Sequence, residues 1–148
     1  MSGIFQVSSG PPLTITSSAD LSGTGLLRNR AVVTKRVQRY SRGGCNTTAI
    51  SCVNYVNPSA FTMPAPGTAG NIRKGYLQRP GYTDWDTGLQ KFITITERAR
   101  LQFRAECFNV LNHTNIGTPI TGVSSAGFGS IKSSNDPRTA QLALKFLF

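Results

Sequence analysis

The chain has 148 residues, of which 39% are hydrophobic and only 15% charged, and its sixteen Lys and Arg against six Asp and Glu give a net charge of +10. That length fits one ordinary domain, but Gly, Pro and β-branched residues are poor helix formers, which excludes a helical bundle. No apolar run approaches the roughly eighteen residues of a membrane helix, so the composition suits strands, turns and long polar loops.

In chain order, residues 2–9 alternate, with Phe5 and Val7 opposite Gln6 and Ser8. Gly10-Pro11-Pro12 interrupts the pattern, and Leu13 to Thr16 resumes a period of two, so a first strand is expected over about 2–16. The opening MSGIFQVSSGPP lacks the basic start, apolar middle and small-residue cleavage site of a signal peptide. Either the chain is cytosolic or it begins downstream of its true start; the strand pattern below favours the second.

Residues 17–81 show no sustained periodicity and are expected to be a long loop, punctuated by Pro58, Pro64, Pro66 and Pro80. Six of the basic residues fall between Arg28 and Arg42, and no acid occurs between Asp20 and Asp84. Such a patch suits a nucleic acid, but Tyr40 is the only aromatic within it, whereas single-strand binders space aromatics through the groove. A solvated basic loop is the preferred reading. Cys45 and Cys52 lie seven apart in a polar stretch, a spacing compatible with a local disulfide in an oxidising compartment. A zinc site is not expected, because the one histidine, His113, is remote from both.

Periodicity returns at Tyr82. Over 82–93, Thr83, Trp85, Thr87, Leu89 and Ile93 share one parity, and Asp84, Asp86, Gly88 and Gln90 the other. Lys91 falls on the apolar parity, where a long side chain can snorkel to an interface. A short polar link follows at Thr94 to Glu97. Over 98–107, five polar residues (Arg98, Arg100, Gln102, Arg104, Glu106) oppose five small or apolar ones (Ala99, Leu101, Phe103, Ala105, Cys107) without exception. A helix would smear those arginines round its circumference, so a strand over 98–110 is expected, with Cys107 a small hydrophobe on its apolar side. A Gly/Ser/Asn-rich loop fills 109–137. The last strand, 138–148, carries Ala140, Leu142, Leu144, Phe146 and Phe148 on one parity up to the final residue.

Strands of this length match the about 9–11 tilted residues that cross a bilayer in a barrel wall. A charge on a lipid face at mid-membrane costs roughly 2–4 kcal/mol, and the apolar parities of 98–107 and 140–148 carry none. The short link near 94–97 and the long loops elsewhere match the short-periplasmic, long-extracellular asymmetry of such barrels. The fold class is therefore all-β, an antiparallel meander forming about four strands of a large outer-membrane β-barrel wall, with loops 17–81 and 109–137 outside the cell.

The string WDTGLQKFITITERARLQFRAECFNVLNHTNIGTP, followed by AGFGSI and NDPRTAQLALKFLF, resembles the C-terminal end of TonB-dependent outer-membrane receptors, in particular the large acidobacterial type with a carboxypeptidase-regulatory-like domain. NPSAF at Asn57 to Phe61 and the opening QVSSGPPLTIT resemble the same group. The resemblance implies a barrel of about twenty-two strands around a plug, energised through the TonB system by N-terminal regions absent here. It also implies that Leu142, Leu144, Phe146 and Phe148 form the assembly signal read by the barrel-assembly machinery, with outer-membrane lipid as the further partner. The chain would then be a fragment, a C-terminal segment spanning 1–148 that does not transport alone, since four strands cannot close and open edges are not tolerated in lipid.

No catalytic, cofactor-binding or metal motif appears, and no enzyme activity, cofactor or nucleic-acid partner is expected. Gly23-Thr24-Gly25 lacks the third glycine of a dinucleotide loop. Asp84 and Asp86 share a face as a catalytic pair would, but a polar lumen near a rim explains them more simply. The arginines at 98, 100 and 104 are expected to pair with acidic groups of a plug or neighbouring strands, Trp85 and Tyr82 to belong to an interfacial girdle, and His113 to be solvated. The competing architecture is a secreted, soluble β-sandwich binding module whose apolar faces pack on each other.

Overall fold

A computed structural model describes residues 1–17, 19–25, 27–39 and 53–148. Cys45, Cys52 and Tyr40 lie outside the described residues. The chain divides into two compact units, one of Met1–Ser8, Gly81–Asn115 and Ser134–Phe148, the other of Ser9–Pro80 and Ile116–Ser133.

The first unit is a four-stranded antiparallel sheet. Its strands are β1 (Ser2–Ser8), β7 (Tyr82–Thr96), β8 (Ala99–Phe108) and β10 (Thr139–Leu147), in the order β1-β7-β8-β10. The register aligns the sequence parities across every pairing. Phe5 sits opposite Trp85, Ile93 opposite Leu101, and Leu101 opposite Phe146; likewise Lys91 faces Phe103, which faces Leu144. A single-residue slip would have put these side chains on the other face. One face is thus apolar from β1 to β10 and carries Lys91 as its only charge, while Asp84, Asp86, Arg100, Arg104, Glu106 and Lys145 share the other.

Element boundaries differ from the sequence expectation in identifiable ways. The first strand stops at Ser8, where Gly10 and two prolines follow, and proline cannot donate to a ladder. The strand expected to end at 93 continues to Thr96, because Thr94, Ile95 and Thr96 are β-branched and suit a strand whatever their polarity. The register shifts between Thr94 and Thr96, a β-bulge beside the two-residue turn Glu97-Arg98. Arg98 therefore sits in the turn and not in the strand.

The second unit gives much of the non-periodic stretch 17–81 a packed form built on short ladders. It contains three two-residue ladders: β2 (Pro12–Leu13) with β6 (Leu77–Gln78), β3 (Val32–Val33) with β5 (Phe61–Thr62), and β4 (Val53–Asn54) with β9 (Ser130–Ile131). A single 3-10 turn, Pro58–Ala60, precedes β5. The ladders enclose a core that includes Ile15, Tyr55, Val56, Phe61, Phe128 and Ile131. Phe61 and Phe128 meet edge to face, with centroids 5.6 Å apart. The hydroxyl of the buried Tyr55 donates to the Gln78 carbonyl. Gly129 (φ +79°) accepts from the N–H groups of Tyr55 and Val56 at 2.9 and 3.1 Å, and a Cβ there would lie 2.8 Å from the Val56 carbonyl oxygen.

Candidate functional site: an open apolar sheet face and its rim

In the sheet unit the only buried residues are Asn109 and Asn115; every apolar side chain is at least partly exposed. Phe5 and Val7 on β1 are both 63% exposed, and Leu142 and Leu144 on β10 are 75% and 66% exposed. A soluble sandwich buries such a face to gain about 25 cal/mol per Å² of apolar surface. Here the face is continuous and uncovered within the unit, far beyond the isolated exposed hydrophobics of a soluble surface. β8 and β10 span 10 and 9 residues, the length of a bilayer crossing. Lys91 lies opposite Phe103 on this face, where a long side chain can carry its charge to a membrane interface. No helix among the described residues is long and apolar enough to cross a membrane.

The expected assembly residues Leu142, Leu144 and Phe146 lie on β10, which pairs only with β8 and so forms one edge of the sheet, as β1 forms the other. Phe148 follows the strand, is almost wholly exposed, and its ring lies 6.0 Å from that of Phe146. Cys107 is a free thiol between Thr87 and Ala140 on the apolar face.

On the polar face, Arg104 pairs with Glu106 of its own strand at 2.5 Å, and Gln141 donates to the same carboxylate. The acidic partner of Arg104 in the sheet is thus a neighbour two residues along its own strand. Tyr82 also belongs here: its hydroxyl donates to Asp84 Oδ2 at 2.9 Å, so only Trp85 of the expected aromatic pair lies on the apolar face.

The rim formed by the ends of β1, β7, β8 and β10 is tied by asparagines that sequence reasoning passed over. Asn109 adopts φ +50°, a region Asn tolerates better than most residues. Its N–H donates to Asp86 Oδ1 at 3.0 Å, and its amide group holds the backbone of His113 and the Asp136 carbonyl. Asn115 grips Thr83 from both sides, accepting from its N–H at 2.9 Å and donating to its carbonyl at 2.7 Å. Asn112, also at positive φ, accepts from the Arg138 N–H just before β10. His113 is exposed but not free, since its Nδ1 lies 3.1 Å from Asn115 Oδ1. A signal was present in the string FNVLNHTN, whose asparagines mark turns that need side-chain-to-backbone bonds.

Beside these asparagines lies a recess of about 650 Å³ lined by Tyr82, Asp84, Asp86, Phe108 and Asp136 among others. Asp84 Oδ1 is buried there without a hydrogen-bond partner. The expectation that Asp84 and Asp86 mark a polar rim agrees with this placement. No group of three or more His, Cys, Asp or Glu able to hold a metal occurs among the described residues.

An antiparallel sheet with one apolar face uncovered within its unit, one charged face, one tight turn and two long connections between strands fits a membrane β-barrel wall. The family model described as outer membrane beta barrel domain matches residues 1–141. The chain belongs to that family, and its location is the outer membrane. No curated protein and no solved structure matches it.

Proposed function

We propose that the chain forms part of the barrel of a TonB-dependent receptor and contributes to substrate uptake across the outer membrane. The observation that carries this reading is the exposed apolar face that runs from β1 to the edge strand β10 with Lys91 as its only charge, in a sequence that resembles the C-terminal end of those receptors. The sheet has two unpaired edges, which hydrocarbon does not tolerate, so further strands complete the wall. The turn at Glu97-Arg98 faces the periplasm, and the segments 17–81 and 109–137 lie outside the cell. Leu142, Leu144, Phe146 and Phe148 present the strand to the assembly machinery. TonB and a plug act through other parts of the receptor, and the polar face lines the lumen.

The test is genetic. A strain lacking the gene for this chain is grown on a panel of scarce nutrients beside a strain lacking TonB. A growth defect common to both supports coupled uptake. A defect confined to nutrients that still enter without TonB contradicts it.

A further inference from the structure

The net charge of the chain is unevenly placed. In the unit built from Ser9–Pro80 and Ile116–Ser133, nine described residues are Lys or Arg and one, Asp20, is acidic; the sheet unit carries six basic and five acidic residues. The one ion pair among the described residues, Arg104–Glu106, lies in the sheet. Asp20 is already committed, accepting from the Gly25 N–H at 2.6 Å and from Thr24, Ser22 and Asn29.

The fold concentrates these charges. The segment around Ala31 runs against the segment around Ile72: the Ile72 N–H donates to the Ala31 carbonyl, and the Asn71 amide bonds both backbone groups of Val33 at 2.8 and 3.2 Å. The approach is so close that a Cβ on Gly70 would fall 1.9 Å from the Arg30 carbonyl oxygen. Arg28, Arg30, Lys35, Arg36, Arg73 and Lys74 flank this junction, and all six are exposed. A recess of about 350 Å³ at the junction is lined by Val33, Asn71, Ile72, Arg73 and Tyr76. Like charges gathered without counter-charges repel one another and disfavour the compact state, and an array of phosphates relieves that repulsion.

We propose that this unit is a docking surface for the phosphate-bearing glycolipid headgroups of the outer leaflet. The charge complementarity is direct, and each Lys or Arg near an anionic membrane surface adds to the attraction. Aromatics spaced for stacking, which single-stranded nucleic acid would require, are limited at the junction to Tyr76. The proposal rests on the outward orientation stated above.

The full chain is mixed with phosphatidylcholine vesicles and with the same vesicles carrying lipopolysaccharide, and binding is read by co-sedimentation. The wild type is expected to favour the lipopolysaccharide vesicles by about tenfold or more at low salt, and to lose most of that preference at about 0.5 M salt. The variant Arg30→Gln/Arg36→Gln/Arg73→Gln/Lys74→Gln is expected to lose it while binding neutral vesicles as the wild type does. Should that variant misfold, Arg73→Gln/Lys74→Gln is expected to reduce the preference about threefold or more. Removal of four charges from the sheet unit, Arg98→Gln/Arg100→Gln/Arg138→Gln/Lys145→Gln, is expected to leave it intact. Equal preference in all variants, no preference in the wild type, or tighter binding to a single-stranded oligonucleotide than to the vesicles overturns the proposal. Orientation is read separately, by protease cleavage within 28–39 on intact cells. Protection there overturns the glycolipid as partner and the outward orientation, while leaving the vesicle measurement as it stands.

Discussion

Asn109 shows how much one polar residue does at the rim. It holds a left-handed backbone and bonds Asp86, His113 and Asp136 at once. Replacement by Ala loses the side-chain bonds, at about 0.5–1.5 kcal/mol each, and adds left-handed strain of roughly 1 kcal/mol. Asn109→Ala is therefore expected to destabilise the folded sheet by about 2.5–5.5 kcal/mol in a urea titration in lipid, and Asn109→Gly by less, since Gly loses the same bonds without the strain. Asp20 makes a prediction of opposite character. Burial raises its pKa, but hydrogen bonds from Asn29, Gly25, Ser22 and Thr24 outweigh that and hold it below the ordinary aspartate value. A carboxyl depressed in the folded state stabilises above its unfolded pKa, and that stabilisation fades as pH falls through the folded value. Thermal melting of the wild type is thus expected to decline on acidification below about pH 4 more steeply than that of Asp20→Asn.

At the scale of the strand, adjacent residues of β10 give a clean contrast. Leu144 lies on the apolar face opposite Phe103, and Ala143 on the polar face opposite Arg104. Leu144→Arg is expected to cost roughly 2–4 kcal/mol in folding from urea into lipid vesicles, whereas Ala143→Arg is expected to lower stability far less and to be partly rescued by salt, which screens its repulsion from Arg104. These strands were legible because a period of two survives wherever one face meets an apolar medium and the other a polar one. The pattern over 98–107 needed no partner to be read, and the cross-strand register then aligned it with its neighbours. The small core of Ile15, Tyr55, Phe61 and Phe128 was not legible. Its ladders are two residues long and join positions far apart in sequence, such as Val53 with Ile131, so no local periodicity forms. The rim asparagines escaped notice for a related reason: a residue that acts through single side-chain-to-backbone bonds leaves no repeat.

For the whole molecule, the account requires that hydrocarbon, not protein or water, covers the apolar face of the sheet. Family membership gives the outer membrane, and the sheet unit has no apolar core of its own. The chain contains one tryptophan, Trp85, on that face opposite Phe5 and near the rim. Its fluorescence is measured with the protein folded in vesicles whose acyl chains carry bromine near the headgroup, and again with an aqueous quencher. Strong quenching by the brominated lipid with little effect of the aqueous quencher is the predicted result. An emission that the lipid bromines leave untouched contradicts the barrel-wall account.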